Sequence, residues 1–158
     1  MNAMSDIQSK ANDSAQEYIT FRIGSQFFCV DIMSVREIRG WTPATQLPRA
    51  PGFVRGVINL RGVVLPVIDL AERLGFAPAE PTPRHVIIVA QTGRQVVGLL
   101  VDAVSDIIAQ SSDKVQPTPD VGSDAARAFV TGVMAIDDRM ISVIALDSVM
   151  PNAAGEAA

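Results

Sequence analysis

Short runs of aliphatic and β-branched residues, separated by turns that contain glycine or aspartate, recur along this chain. The clearest pair of runs, residues 54–60 and 63–68, flanks Arg61 and Gly62. Gly62 supplies the positive φ that a tight hairpin turn requires, so this stretch predicts a strand-turn-strand unit. Pro66 cannot donate a hydrogen bond to a ladder, which places the second strand at a sheet edge or turns that position outward.

The same pattern predicts further strands before and after this hairpin. Their expected ranges are 18–24, 26–31, 84–90, 95–101, 104–109, 129–136 and 140–146. Asp69 is followed three residues later by Glu72 in a capping-box arrangement, and Gly75 provides a C-terminal stop. Residues 69–75 are therefore expected to form a short helix in an otherwise all-β fold, and residues 110–128 a long surface loop.

The two halves of the chain resemble each other. The pattern Phe-Val-x-Gly-Val at residues 53–57 recurs at 129–133, and Val-Asp-x-x-Ser at 30–34 recurs at 101–105. The order of the two patterns is the same in each half, which indicates two versions of one small antiparallel unit with about five strands each. A unit of about 65 residues has a marginal core by itself. We therefore expect the two units to pack together and to leave a groove along their junction.

Composition limits the class of protein. A chain of 158 residues with 48% hydrophobic residues is expected to form one globular unit, and a net charge of −4 argues against a nucleic-acid-binding surface. No run of 18 apolar residues occurs, and the polar residues 1–16 lack the apolar segment of a signal peptide. We expect a cytoplasmic protein with disordered tails at 1–16 and 151–158, in which the single cysteine, Cys29, is a buried apolar side chain.

Charge is distributed unevenly. Residues 36–61 contain five arginines and one acid, Glu37, whereas residues 102–147 contain eight aspartates and three basic residues. One interpretation is two ordinary solvated faces. The other is a molecule with opposite charges at its two ends, which suits the joining of different partners.

No catalytic constellation is visible. His85 is the only histidine, so neither a two-histidine metal site nor a histidine relay can be built. No glycine-rich phosphate-binding loop occurs, and the adjacent acids Asp137 and Asp138 are typical of a hairpin turn. We therefore expect a protein that is not an enzyme and that needs no cofactor or metal.

Two functions of different class remain open. The first is an adaptor that binds two protein partners at once, and the second is a small-molecule-binding or catalytic protein with a ligand in the groove between its two units. A ligand pocket needs a few convergent polar groups, whereas a groove for a helix needs a longer apolar strip. Many aliphatic strand residues and few polar candidates favour the adaptor.

Five motifs, in this order and spacing, resemble the CheW family of bacterial chemotaxis coupling proteins. They are Val35-Arg36-Glu37-Ile38, Asn59-Leu60-Arg61-Gly62, Pro66-Val67-Ile68-Asp69-Leu70, Val97-Gly98-Leu99-Leu100-Val101-Asp102 and Phe129-Val130-Thr131-Gly132. Asn59, Leu60, Arg61, Gly62, Pro66 and Asp69 carry the most distinctive part of the resemblance. The motifs and their surroundings span residues 18–150.

The resemblance implies a fold and a set of partners. The fold is two SH3-like five-stranded antiparallel barrels packed side by side over residues 17–150, with a first barrel at about 17–75 and a second at about 84–150. Proteins of this family couple membrane chemoreceptors to the regulatory domain of a histidine kinase. The implied partners are the helical hairpin tip of a receptor and that regulatory domain, without direct contact to the membrane or to nucleic acid.

The resemblance also implies a receptor-binding groove. Its residues would be Val35, Glu37, Ile38, Arg61, Gly62, Val86 and Ile87, with the two residues of the second unit facing the others from the opposite side. For the four aliphatic residues among them, ordinary barrel core is the alternative. Because Glu37 is the only acid among the arginines of residues 36–61, we predict that it forms an ion pair with Arg61.

Overall fold

The computed structural model describes residues 15–117 and 128–150. In this part of the chain there are ten strands and two short α-helices. The strands are β1 (Ala15–Ile23), β2 (Gln26–Asp31), β3 (Val35–Gly40), β4 (Val54–Leu60), β5 (Val63–Asp69), β6 (Val86–Thr92), β7 (Gln95–Val101), β8 (Ala103–Ser111), β9 (Val130–Ile136) and β10 (Arg139–Ile144). The helices are α1 (Leu70–Arg73) and α2 (Leu146–Val149), and single 3-10 turns lie at Ile32–Ser34 and Ser112–Lys114.

The strands form two five-stranded sheets, ordered β8-β1-β2-β10-β9 and β3-β6-β7-β5-β4. Each sheet closes because the chain that leaves one edge strand returns to the other edge. After β3, Thr45 exchanges two backbone hydrogen bonds with Val57 of β4, and after β8, Gln116 does the same with Val133 of β9. We call the closed sheets barrel A, which contains β1, and barrel B, which contains β3. The all-β prediction and the two SH3-like barrels are confirmed.

The barrels do not coincide with the two halves of the chain. Strands β1–β5 with α1 form repeat 1, and β6–β10 with α2 form repeat 2 in the same order. Barrel A combines β1 and β2 of repeat 1 with β8–β10 of repeat 2, and barrel B makes the reciprocal combination. The prediction of one barrel at 17–75 and another at 84–150 is therefore wrong. Those ranges are the repeats, and the repeats exchange strands.

The backbone conformation of two hairpin turns agrees with the residue types found there. At the β4–β5 turn Arg61 and Gly62 have φ of 53° and 86°, and at the β9–β10 turn Asp137 and Asp138 have φ of 51° and 65°. Positive φ at both central residues is the type I′ geometry, whose twist matches that of the flanking strands. The strands at these turns lie where the pattern placed them, within one or two residues.

Two expectations about the sheets are corrected. For Pro66 the sequence left two alternatives, an edge strand or a position turned outward, and the edge alternative is wrong because β5 lies between β4 and β7. Its proline is tolerated because Pro66 is opposite Val57, whose N–H and C=O both bond to Thr45, and because the ladder with β7 begins at Val67. The sheets are also not wholly antiparallel, since β5 pairs with β7, and β10 with β2, in parallel.

The largest core lies between the barrels, at the junction where a groove was expected. Buried apolar residues of β1 and β2 meet those of β6 and β7 there, together with both helices. Two smaller cores occupy the barrel interiors, around Tyr18 and Met134 in barrel A and around Ile58 and Ile87 in barrel B. Cys29 is fully buried, as predicted, and its burial raises the pKa of the thiol to about 12.

Helix α1 begins at the predicted cap but is shorter than 69–75. The Asp69 carboxylate accepts a hydrogen bond from the Glu72 N–H at 3.3 Å. Helix α2 was not predicted, because its N-cap residue is Ala145, which has no side-chain acceptor. Its place is that of α1 in the other repeat, so the internal repeat was the signal that could have found it.

The chain ends and the long loop differ in part from the prediction. Residues 15 and 16 belong to β1 rather than to a tail, and the rest of 1–16 and all of 151–158 lie outside the described residues. Strand β8 continues to Ser111, so the predicted loop at 110–128 begins later than expected. Residues 118–127 of that loop also lie outside the described part.

Gly56 offers a test of barrel closure. Its φ is 143°, and a Cβ at this position would lie 2.2 Å from the carbonyl oxygen of Thr45. We expect Gly56→Ala to lower the free energy of unfolding by about 2–4 kcal/mol, because it combines backbone strain with a clash at the closing bridge. Gly40→Ala is the control, since a Cβ there meets no atom within 4 Å. Equal urea midpoints for the two variants would contradict this account of closure.

Candidate partner-binding surface

The edge strand of barrel B alternates between half-buried and exposed residues. Val35, Glu37 and Arg39 are half-buried, whereas Ile38, with 44% of its surface accessible, faces solvent. Strand β3 pairs with β6 on one side only, so its outer edge is not part of a ladder in this region. An apolar side chain on such an edge is a candidate contact for a partner.

The β4–β5 hairpin tip lies beside this edge strand. The side chain of Asn59 accepts a hydrogen bond from the Gly62 N–H at 2.8 Å, which fixes the turn that carries Arg61. Val63 and Val64, the first residues of β5, are exposed. Asn59 is therefore a structural residue of the tip, and the tip presents one cation and two aliphatic side chains.

Glu37 and Arg61 form the predicted ion pair. Arg61 Nη2 donates to Glu37 Oε2, and Arg39 Nη1 donates to Glu37 Oε1 at 3.3 Å. The Glu37 side chain is 25% exposed and that of Arg61 is 70% exposed. The hydrogen bond from Arg61 holds the pKa of the Glu37 carboxyl below its usual value, with a further contribution from Arg39 and against the effect of partial burial. The same bond raises the pKa of the Arg61 guanidinium.

The ion pair stands at the mouth of barrel B. A depression of about 220 Å³ opens there, with Leu60, Leu65 and Val96 at its floor and Glu37 and Arg61 at its rim. We use the name tip surface for six exposed or half-buried residues of β3 and of the hairpin tip, namely Glu37, Ile38, Arg61, Gly62, Val63 and Val64. They combine three exposed aliphatic side chains with the Glu37–Arg61 ion pair, so they can accept an apolar partner segment that offers a polar group to that pair.

The structure does not bring all seven predicted groove residues to this surface. Glu37, Ile38, Arg61 and Gly62 lie on it. Ile87 does not, because it is fully buried inside barrel B, and Val35 and Val86 pack against the core between the barrels. Strand β6 is the neighbour of β3 in one sheet, so its residues do not face the others across a groove. The core alternative is correct for Ile87.

Residues that the sequence reasoning did not select complete the surface. Arg39 shares the Glu37 carboxylate, and Arg36 Nη1 donates to Gln91 Oε1 at 2.6 Å at the rim of the same depression. The excess of arginine in residues 36–61 was the available signal for both. Val63 and Val64 gave no such signal, since an exposed valine in a β-branched run has the same pattern as a buried one.

Barrel A has a related ion pair, again with the acid on the edge strand and the arginine on the hairpin, but its turn residues carry the opposite charge. Arg139, at the start of β10, lies 3.8 Å from Asp106 of β8, so again an edge strand is joined to a hairpin. The guanidinium also stacks over the Phe27 ring, at 4.7 Å from its centroid. Asp137 and Asp138 occupy the turn that Arg61 and Gly62 occupy in barrel B. The two barrel ends thus differ in sign.

A second depression, of about 450 Å³, lies at the junction of the barrels and contains His85 and Asp102. Its polar groups are largely engaged. Asp102 Oδ2 accepts from the Gly24 N–H at 2.7 Å, and His85 Nδ1 accepts from the Thr82 N–H at 3.0 Å. In the described part of the chain, no three His, Cys, Asp or Glu side chains are placed to hold a metal ion, and no helix could span a membrane.

Several known proteins are similar to this chain in sequence or in fold. The family model for the CheW-like domain matches residues 17–154. The probable chemotaxis protein CheW of Rhizobium etli is 59% identical over 155 residues, which cover 98% of this chain and 100% of that protein. The chemotaxis protein CheW of Rhizobium meliloti is 58% identical with the same coverage. The crystal structure of the scaffolding protein TtCheW from Thermoanaerobacter tengcongensis has a TM-score of 0.75 at 34% identity, over 82% of this chain and 88% of that one.

The ion pair predicts a specific titration. Because the pKa of Glu37 is lowered in the folded state, its contribution to stability is present above the unfolded value of about 4.3 and is lost as the pH falls through the folded pKa. An NMR titration of the Glu37 carboxyl should show its pKa rising in Arg61→Gln and rising less in Arg39→Gln. Arg94→Gln is the control, and a shift of equal size in that variant would contradict the assignment.

Proposed function

Because this chain belongs to the CheW-like domain family, we propose that it is a chemotaxis adaptor that couples membrane chemoreceptors to the regulatory domain of a histidine kinase. The observation that carries the proposal is the tip surface. It combines exposed aliphatic side chains with an ion pair that joins two separate elements of barrel B. Such a surface is suited to binding a protein segment, and nothing in the proposal requires a catalytic step or a cofactor.

We assign the tip surface to the receptor. A receptor's helical hairpin tip would place apolar side chains against Ile38 and Val64, as an amphipathic helix does in an apolar groove. Arg61 is the most exposed member of the ion pair, so its guanidinium retains donors for the partner. The paired Glu37 keeps the arginine in one orientation and so lowers the entropy that is lost on binding.

The kinase contact is assigned to the end of barrel A, because the end of barrel B carries the tip surface and is assigned to the receptor. The end of barrel A carries Asp106, Asp137, Asp138 and Arg139, so its net charge is negative. An acidic end can meet a basic surface of a regulatory domain, and such contacts gain speed and register from charge. In this role the protein would act in the cytoplasm and reach the membrane only through receptors.

The alternative function is a small-molecule-binding protein, with the junction depression around His85 and Asp102 as its site. A volume of about 450 Å³ is within the range of ligand pockets. The adaptor is favoured because the polar groups of the depression already bond to Gly24 and Thr82. A thermal-shift screen with nucleotides and metabolites separates the two functions, since only the alternative expects a stabilising ligand.

Ile38 allows the receptor assignment to be tested without disturbing the fold. A carboxylate at this exposed position should weaken binding of a receptor cytoplasmic fragment at least tenfold, because it would be desolvated without a partner. We expect Ile38→Asp to keep the melting temperature and the affinity for the kinase regulatory domain. Ile107→Asp, on the exposed edge of barrel A, is the matched control for receptor binding. Equal losses in both variants, measured by calorimetry, would reject the assignment.

Charge reversal tests whether Glu37 and Arg61 act as a unit. Glu37→Arg and Arg61→Glu should each impair receptor-controlled kinase activity, and the double variant should recover a measurable part of it. If each residue contacts a partner independently, the double variant would be at least as defective as the worse single variant. A double-mutant cycle on receptor affinity distinguishes the two results.

A further inference from the structure

The segment between α1 and β6 is the covalent connection between the two repeats, and one of its residues is held by an ion pair between half-buried Arg55 and buried Asp69. Asp69 is fully buried, and its Oδ2 accepts hydrogen bonds from the Ala79 N–H at 2.8 Å and from Arg55 Nη2 at 2.9 Å. The Arg55 guanidinium also donates to the Ala79 carbonyl oxygen. We call Arg55, Asp69 and Ala79 the linker clamp.

The internal repeat shows that this ion pair is not needed to build the local backbone. In repeat 2 the equivalent positions are Thr131 and Ala145. The same backbone bond is nevertheless present, from the Asp69 N–H to Phe53 in repeat 1 and from the Ala145 N–H to Phe129 in repeat 2, at 2.7 and 2.8 Å. The ion pair is therefore present only in repeat 1, the repeat that directly precedes the linker. There Arg55 and Asp69 both bind Ala79 of the linker.

A second anchor holds the other end of the linker. The Thr82 N–H donates to His85 Nδ1 at 3.0 Å, the His85 N–H donates to the Thr82 carbonyl at 2.9 Å, and His85 Nε2 lies 3.4 Å from Asp102. Only Glu80 and Pro81 stand between the anchors. Three residue steps reach at most about 11 Å, so the clamp leaves the linker little freedom to extend.

Release of Ala79 would lengthen that reach. The next upstream residue with a described anchor is Phe76, whose N–H donates to the Ala71 carbonyl at 2.9 Å. The six steps from Phe76 to Thr82 span up to about 20 Å. The clamp thus reduces the maximum span of the linker to about half of the span that it would have without the clamp.

We propose that the linker clamp keeps the two repeats of one chain paired with each other, and that without it repeat 1 of one copy pairs with repeat 2 of a second copy. Neither repeat closes a sheet alone, because β1 must pair with β8 and β3 with β6. The exchanged dimer would contain every ladder of the monomer, so the two forms differ mainly in the path of the linker. Exchange of identical elements in this way is a low-cost route to a dimer.

The exchange would change the valency of the protein and not its surface. Glu37, Ile38 and Arg61 all belong to repeat 1, and their neighbour β6 would come from the second copy in the same register. An exchanged dimer therefore carries two intact tip surfaces in one particle. The clamp consequently determines whether the protein presents one partner-binding surface or two.

The test replaces the clamp with the residues of the other repeat. In R55T D69A both charges are removed together, so no unpaired charge is left buried, and each new residue is one that the equivalent backbone already carries. D106A R139T is the matched control, because it removes an ion pair and a contact between β1 and β8 without touching the linker. Both proteins are refolded from denaturant over a range of concentrations and sized by gel filtration with light scattering.

Cross-linking identifies the kind of dimer. Gln16 of β1 and Gln110 of β8 are register partners, so Q16C and Q110C in a C29A chain place one thiol on each repeat. A short bis-maleimide joins the thiols within one chain in the monomer and between chains in an exchanged dimer. Denaturing gels then separate the two products.

We expect R55T D69A to form a dimer with cross-links between chains, in a fraction about threefold above that of the parent and the control after refolding well below the effective concentration of the linked repeats, because that concentration falls roughly as the −3/2 power of the free linker length. A folded variant that stays monomeric at all concentrations overturns the proposal, and so does a dimer whose cross-links stay within chains. If R55T D69A does not fold, Ala79→Pro decides, because it removes the N–H that donates to Asp69 and leaves the Arg55–Asp69 pair in place. Because proline also fixes φ of residue 79, Ala77→Pro in the same segment is its control for stiffening. The same two outcomes then support or overturn the proposal.

Discussion

The exchange of strands between the repeats is the constraint on which the rest of this structure depends. Strand β1 finds its antiparallel partner in β8, so Thr20 bonds to Asp106 across 86 residues of sequence. Because each barrel needs strands from both repeats, no barrel can close until both repeats are present. The largest apolar core then forms between the barrels, since β1, β2, β6 and β7 each turn one face towards it. Such non-local pairing is expected to make folding slow and cooperative.

A symmetric scaffold of this kind leaves function to the positions at which the repeats differ. The backbone closes both barrels with the same bridge, and both hairpin turns have the same sign of φ at their two central residues. On that backbone one turn carries Arg61 and Gly62 and the other carries Asp137 and Asp138. Charge has thus diverged while geometry has not, and the result is two barrel ends of opposite sign. An adaptor needs different surfaces at fixed separation, and a duplicated rigid unit with divergent side chains provides them.

Rigidity at the tip surface has a local cause. The Asn59 side chain caps the turn, and Glu37 binds Arg61 and Arg39 at once, so side-chain bonds join the edge strand to the hairpin. A partner that bound only one of these elements would still be coupled to the other. Such coupling is a property that an adaptor can offer to its partners.

The sequence by itself determined the local structure and one long-range contact. Turn residues with positive φ located the hairpins, the Asp69 cap located α1, and the repeated motifs revealed the two units, because each of these signals depends on a few neighbouring residues. The Glu37–Arg61 pair could be predicted since Glu37 had no competitor among the acids nearby. Only the tertiary structure decided which strands share a sheet. The alternation of apolar residues indicates which face of a strand is buried, but it does not identify the neighbouring strand. For that reason the barrel boundaries, the interior place of β5 and the burial of Ile87 became visible only in the folded chain.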